Sequence, residues 1–277
     1  MREIRIIAVK EIREGLRNRW VVAATLVLGI LALTLAFVGG TPTGSRIGAG
    51  ALDIVVVSLS SLTIFLVPLI ALLISHDAVV GEIERGTMLL LLSYPVSRGQ
   101  VVFGKFLGHL AILAFATCVG YGAAAGALAA VGADISRSSL GAFAAMIGSS
   151  ILLGAVFVSL GYLVSALADG RGTAAGLAVG LWLLFVLVYD MALLGALAFT
   201  GGRVFSAAGL NALLLLNPTD AYRLFNMTAF ADVSRFSGMA GLAADVTMGP
   251  GVLLGALLVW VAVPLGLAVL VFSRREI

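Results

Sequence analysis

Residues 76–106 read HDAVVGEIERGTMLLLLSYPVSRGQVVFGKF, a charged interruption between two long apolar runs. The runs on either side are Ile54–Ser75 and Val101–Val131, each long enough for a helix to cross a bilayer, which takes about 20 residues. Four more such runs occur at Trp20–Val38, Leu140–Ala168, Thr173–Phe199 and Val252–Phe272. The pattern is that of an all-α integral membrane protein with six transmembrane helices. Composition agrees: 61% of the 277 residues are hydrophobic and only 11% are charged, where a soluble domain carries about 25%. Mean hydropathy is +1.15. A chain with so little polar surface does not stay in solution.

An even number of spans places both termini on one side. The terminal segments, the interruption at 76–105 and the turn at Asp169–Gly172 hold twelve of the 17 Lys and Arg. The positive-inside rule makes that side cytoplasmic, which predicts a multi-pass membrane protein with both termini and the interruption in the cytoplasm. The net charge of +3 is spread along the chain, so nucleic acid is not an expected partner. The single Cys118 lies in an apolar run, which leaves no intramolecular disulfide. The first residues show no signal-peptide layout.

Residues 2–19 are too charged to cross. Ile4, Ala8, Ile12 and Leu16 share one helical face, and Lys10, Arg13, Glu14 and Arg17 share another. This predicts an interfacial amphipathic helix with its basic groups near anionic lipid headgroups; the plainer alternative is an anchor for the first span. At the other end, Thr200–Pro250 is too polar to cross and too apolar for a linker. Within it, NPTDAYR offers Asn217 as a cap, Pro218 as a first helical residue and Asp220 near the helix N-terminus. Short helices near the outer membrane surface are expected there. Glycine pairs four apart at Gly104/Gly108, Gly122/Gly126, Gly176/Gly180 and Gly251/Gly255 suggest close packing within the chain.

Catalytic signals are weak. Gly99–Lys105, GQVVFGK, has the glycine and lysine spacing of a phosphate-binding loop, but Phe106 stands where a hydroxyl should hold magnesium. Ser97 with Gln100 reads instead as a capping box that opens the third span. No catalytic residue, metal site or bound cofactor is expected. His76 and His109 read as capping or packing residues, and Met227, Met239 and Met248 as apolar filler rather than copper ligands. Asp190 stands apart because it is an ionisable group inside the fifth span, which by default indicates function. A hydrogen bond to Tyr189, Tyr162 or Thr117 is the structural alternative. An intramembrane enzyme centred on Asp190 is a rival reading, weakened by the absence of a visible second carboxylate at the same depth.

In the interruption, Glu82, Glu84 and Arg85 precede Gly86, which can end a helix. Leu89 to Leu92 then read as an apolar plug, and Tyr94-Pro95 as a break. The result is a short charged helix suited to docking another protein. At these residues, glutamates followed by Gly-Thr, leucines, Pro-x-Ser-Arg and Gly-Lys, the chain resembles the permeases of ABC-2 type ATP-driven transporters. The resemblance covers the whole chain as a single transmembrane domain. It comprises the interfacial helix (2–19), spans one and two (20–75), a coupling segment (76–100), spans three to five (101–199), an extracytoplasmic segment (200–250) and the last span with its tail (251–277). LLNPTDAYRLFNM makes it similar, more narrowly, to the permease subunit of the system that matures the copper enzyme nitrous oxide reductase in denitrifying bacteria.

That resemblance implies a homodimer on a separate cytoplasmic ATPase that binds the ATP and magnesium, and a periplasmic partner protein. The ATPase-docking residues are then Asp77, Glu82, Glu84, Arg85, Gly86 and Thr87. The periplasmic contact falls on Asn217, Pro218, Asp220, Tyr222 and Arg223. Either a sulfur species is moved or mechanical work is done on the periplasmic partner. A related exporter of lipid, drug or polysaccharide is the nearer rival.

Overall fold

The computed structural model describes residues 2–17, 19–39, 51–132, 135–200, 206–228 and 248–276. Among them the chain is helical, with no strand. The helices are α1 (Arg2–Leu16), α2 (Arg19–Gly39), α3 (Ala51–Ser75), α4 (Val80–Glu84), α5 (Thr87–Leu92), α6 (Arg98–Ala130) and α7 (Arg137–Leu167). There follow α8 (Arg171–Leu183), a π-helical turn (Leu184–Val188), α9 (Tyr189–Thr200), α10 (Ala207–Leu215), α11 (Pro218–Thr228) and α12 (Pro250–Arg274). Five helical stretches are long and apolar enough to cross a membrane, or up to six if the bent pair of α1 and α2 counts as one span.

Helix α7 is the centre of the bundle, with α3 and α12 packed along it. Its buried residues run from Ser139 to Ala166. The hydroxyls buried with them need no water. Ser150 and Ser159 donate to the carbonyls of Met146 and Ala155 one turn earlier, as Ser60, Thr63 and Ser75 do on α3. The capping box is present: Ser97 Oγ accepts from Gln100 N, and Gln100 Oε1 accepts from Ser97 N. Gly99–Lys105 is therefore the first two turns of α6 and cradles no phosphate. Arg98 Nη1 donates to the carbonyls of Phe272 and Arg275 at 2.7 and 2.6 Å. This brings the C-terminal end of α12, the start of α6 and the α4–α5 segment to one end of the molecule, where α1 also lies.

Helix α1 lies against α6. It presents Ile7 and Glu11 to the bundle and leaves Ile6, Val9 and Leu16 exposed. Two glycines make room for it. A Cβ on Gly104 would sit 2.8 Å from Cβ of Ile7, and one on Gly108 would overlap Cβ of Glu11 and approach the Ala8 carbonyl to 3.1 Å. Gly120 serves α2 in the same way, since its added Cβ would meet Leu28 at 2.9 Å and Gly29 N at 3.2 Å. The other three glycine pairs do not pack against described residues: a Cβ on Gly122, Gly126, Gly176, Gly180, Gly251 or Gly255 meets nothing within 4 Å among them. We expect Gly108→Val to lift α1 off α6, because the obstacle is backbone and a Cβ rather than a flexible tip. Limited proteolysis at the exposed Arg13 should accelerate at least about tenfold, corresponding to roughly 1.4 kcal/mol; an unchanged rate would mean that the groove tolerates a side chain.

Helices α10 and α11 do not lie flat on an outer surface, as the sequence suggests. Tyr222 of α11 is fully buried, with its hydroxyl 3.0 Å from that of Ser150, which lies roughly 20 Å along α7 from Arg137. The chain enters through α10, turns at Asn217-Pro218 and leaves through α11, a re-entrant hairpin held between α3, α7 and α12. Trp260 of α12 donates to the Leu215 carbonyl just before the turn.

Candidate functional site

Two polar assemblies stand out, one at each level of the bundle. The first surrounds the coupling segment. Val79 N and Val80 N donate to Ser165 Oγ, which fastens the start of α4 to α7. Gly86, at φ 70°, separates α4 from α5, a left-handed conformation that glycine adopts without strain. Glu82 turns inward. Its Oε1 lies 2.8 Å from Lys105 Nζ, and the same ammonium donates to Glu11 Oε1 at 2.8 Å. Lys105 is only 3% exposed. Lys10 adds a second cation, 3.6 Å from Glu11 and 3.7 Å from Glu82. His109 Nε2 lies 3.6 Å from the other Glu11 oxygen, and its Nδ1 lies 2.9 Å from Tyr162 OH. One buried lysine thus joins α1, α4 and α6.

The segment also grips the fifth span. Arg171 Nη2 donates to Asp77 Oδ2 at 2.8 Å, and Arg171 N donates to Glu84 Oε1 at 2.8 Å. Burial alone would raise the Asp77 carboxyl. The hydrogen bond and charge of Arg171, with His76 and Arg85 nearby, outweigh it and hold Asp77 below its ordinary value.

Of the expected docking residues, Glu82 is therefore committed to the bundle, and Asp77 is largely engaged by Arg171. Glu84, Arg85, Gly86 and Thr87 face outward. The leucine run is only half a plug: Leu91 and Leu92 pack on the core, while Leu89 and Leu90 are exposed, Leu90 by 68%. Tyr94 is equally exposed at 68%. The outward face is thus mixed, with one acidic and one basic group beside three large apolar side chains.

The second assembly sits at the tip of the hairpin. Asn217 Oδ1 caps α11 by accepting from Thr219 N at 3.1 Å. Asn217 Nδ2 reaches the Phe185 carbonyl at 3.0 Å, where Thr219 Oγ1 also donates at 3.1 Å. Phe185 lies in the π-helical turn, roughly 20 Å along the helix from Arg171. A π turn interrupts the regular i→i−4 ladder, and here the hairpin tip supplies donors to the carbonyl.

Asp190, one turn on, pairs with Arg223 Nη2 at 2.8 Å, and Asp220 pairs with Arg223 Nη1 at 2.9 Å. Asn217 Nδ2 also lies 3.3 Å from Asp190 and 3.1 Å from Asp220. The partners expected for Asp190 are engaged elsewhere or turned away. Tyr189 donates to the Leu213 carbonyl, Tyr162 meets His109, and the buried Thr117 hydroxyl has no partner among the described residues. A second carboxylate does stand at the depth of Asp190; it is Asp220, 3% exposed. Asn217 and Tyr222 are fully buried with it, and their side chains hold the hairpin against the bundle. Met227 lines a small cleft with Ser60, Ser61 and Arg223. Met239, with residues 229–247, lies outside the described residues.

Sequence reasoning missed Lys105, Glu11, Arg171 and Thr219. For Lys105 a signal existed, because a charge two turns into an apolar span calls for a buried partner.

An all-helical bundle with five or six candidate spans is the architecture of a polytopic membrane protein, and the family match gives the class, a transporter permease. Residues 5–277 match the model of the ABC-2 family transporter proteins, and the chain belongs to that family. It is 47% identical over 272 residues, 98% of both chains, to the probable ABC transporter permease protein NosY of Pseudomonas aeruginosa. It is 44% identical over 276 residues, 99% of both chains, to the probable ABC transporter permease protein NosY of Stutzerimonas stutzeri. The protein is thus a NosY-like, multi-pass permease subunit of an ABC transporter, and the family implies an ATPase as its partner.

Proposed function

We propose that this chain couples ATP hydrolysis in a separate cytoplasmic ATPase to work across the inner membrane during copper-site maturation of nitrous oxide reductase. The work is either movement of a sulfur species or mechanical action on a periplasmic partner, and the permease acts as a homodimer with both termini cytoplasmic. One observation carries the coupling: the α4–α5 segment is tied to α1, α6, α7 and α8 by polar contacts, buried at Lys105 of α6 and Ser165 of α7, yet turns Glu84, Arg85, Leu89, Leu90 and Tyr94 outward. A push on that outward face reaches four helices through contacts that do not slide. Docking then rests on the outward residues, while Glu82 belongs to the transmission. The periplasmic contact falls on the outer segment, with residues 217–223 positioning it from within. The maturation role rests on the likeness of the whole sequence to that permease family and on the two relatives.

Two measurements test this. Arg85→Glu combined with Leu90→Asp changes only exposed side chains, so insertion and folding should persist. Co-purification with the ATPase and stimulated hydrolysis should fall by about tenfold or more, the scale of an interface hot spot. A double variant that binds and hydrolyses like the parent would remove the docking face. Separately, cells lacking this chain should make nitrous oxide reductase deficient in copper; a fully loaded enzyme would sink the maturation role while leaving the docking face intact.

A further inference from the structure

Three charges meet at the hairpin tip, and they do not balance. Asp190 and Asp220 share the single guanidinium of Arg223, and Asn217 bridges the same two carboxylates. Among the described residues, with both carboxylates ionised, the group carries one uncompensated negative charge where Asp220 is almost wholly buried. Two carboxylates that share one guanidinium and one amide do not both ionise readily away from water. The surroundings offer little relief. The titratable neighbours are Tyr189 beside Asp190 on α9 and Tyr222 on α11 itself. Among the described residues, α3 adds Ser60 and Ser61, α7 adds Ser149 and Ser150, and α12 adds Trp260, all neutral. The same tip holds the π turn of the fifth span through Asn217 and Thr219 on the Phe185 carbonyl.

We propose that Asp220 is a protonation switch of the re-entrant hairpin. Carrying a proton, it leaves Asp190 and Arg223 as a neutral pair and lets the tip lock onto the π turn. Losing the proton, it leaves two carboxylates against one cation, and their repulsion loosens the tip from the fifth span. The proton moves between the Asp220 carboxyl and water, with no other bond made or broken. The proton stabilises the locked form, so locking is present at lower pH and lost as pH rises. The device needs no ATPase and is tested on the permease alone.

The test uses the full chain in nanodiscs on a Cys118→Ala background, with spin labels at Leu194 on α9 and Leu216 beside the tip, both exposed. In the parent the distance between labels should be short and narrow at low pH and lengthen as pH rises. The midpoint should lie above the ordinary range of a free aspartate, because burial and Asp190 both disfavour the second charge. Asp220→Asn mimics the protonated group and should stay short throughout. Infrared spectra of the unlabelled parent give a second reading that needs no variant: a protonated buried carboxyl band should vanish over the same pH range. A distance insensitive to pH, an Asp220→Asn protein that still lengthens, or no such band would each overturn the switch.

Discussion

Lys105→Met is expected to be the most damaging single substitution in the chain, costing about 3–5 kcal/mol of stability. Lys105 is buried and makes two ion pairs of 2.8 Å, to Glu11 and Glu82. Removing it leaves two carboxylates facing each other, with the half-exposed Lys10 too distant, at 3.6 and 3.7 Å, to replace both contacts. Methionine fills a similar volume, so the loss isolates charge from packing. Thermal unfolding in detergent measures it, and α1 should become more open to trypsin. Adding Glu11→Gln and Glu82→Gln to Lys105→Met removes the stranded charges and should recover most of the stability. A triple variant as weak as the single would show that the ion pairs are not the cause.

The parts of this fold that were legible in the sequence are those set by local rules. A run of about 20 apolar residues is a span whatever surrounds it, and Ser97 with Gln100 caps α6 using groups three residues apart. Gly86 ends α4, and Asn217-Pro218 opens α11, for equally local reasons. What stayed hidden depends on how each helix is rotated and which helix lies beside it. Lys105 and Glu11 are far apart in sequence, as are Asp190 and Arg223, and only the packed bundle joins them.

The glycines show the same limit. Gly104 and Gly108 receive α1, while equally spaced pairs on α8 and α12 receive nothing among the described residues. The hairpin was misplaced because its polar residues looked too costly to bury. They are buried by satisfying one another and the Phe185 carbonyl.

This arrangement gives the fifth span two fixed points. Its N-terminal end is held by Asp77 and Glu84, and its middle by the hairpin tip. The two points lie on one continuous helical stretch, the second of them at the π turn itself. Arg223→Met should disconnect the second point. It removes the only cation paired with Asp190 and Asp220 among the described residues, and stranding buried charge in this way costs about 3–5 kcal/mol.

The first effect is on unfolding temperature, but a second is specific to the tip. Trp260 donates to the Leu215 carbonyl beside the turn, so its fluorescence should change as the tip swings away. Arg223→Met with Asp190→Asn leaves Asp220 as the one remaining carboxylate and should restore both signals in large part. Adding Asp220→Asn should complete the recovery. Arg223→Met at parental stability with unaltered Trp260 emission would mean that the ion pairs are incidental and that the hairpin is held by Asn217, Thr219 and Tyr222 alone.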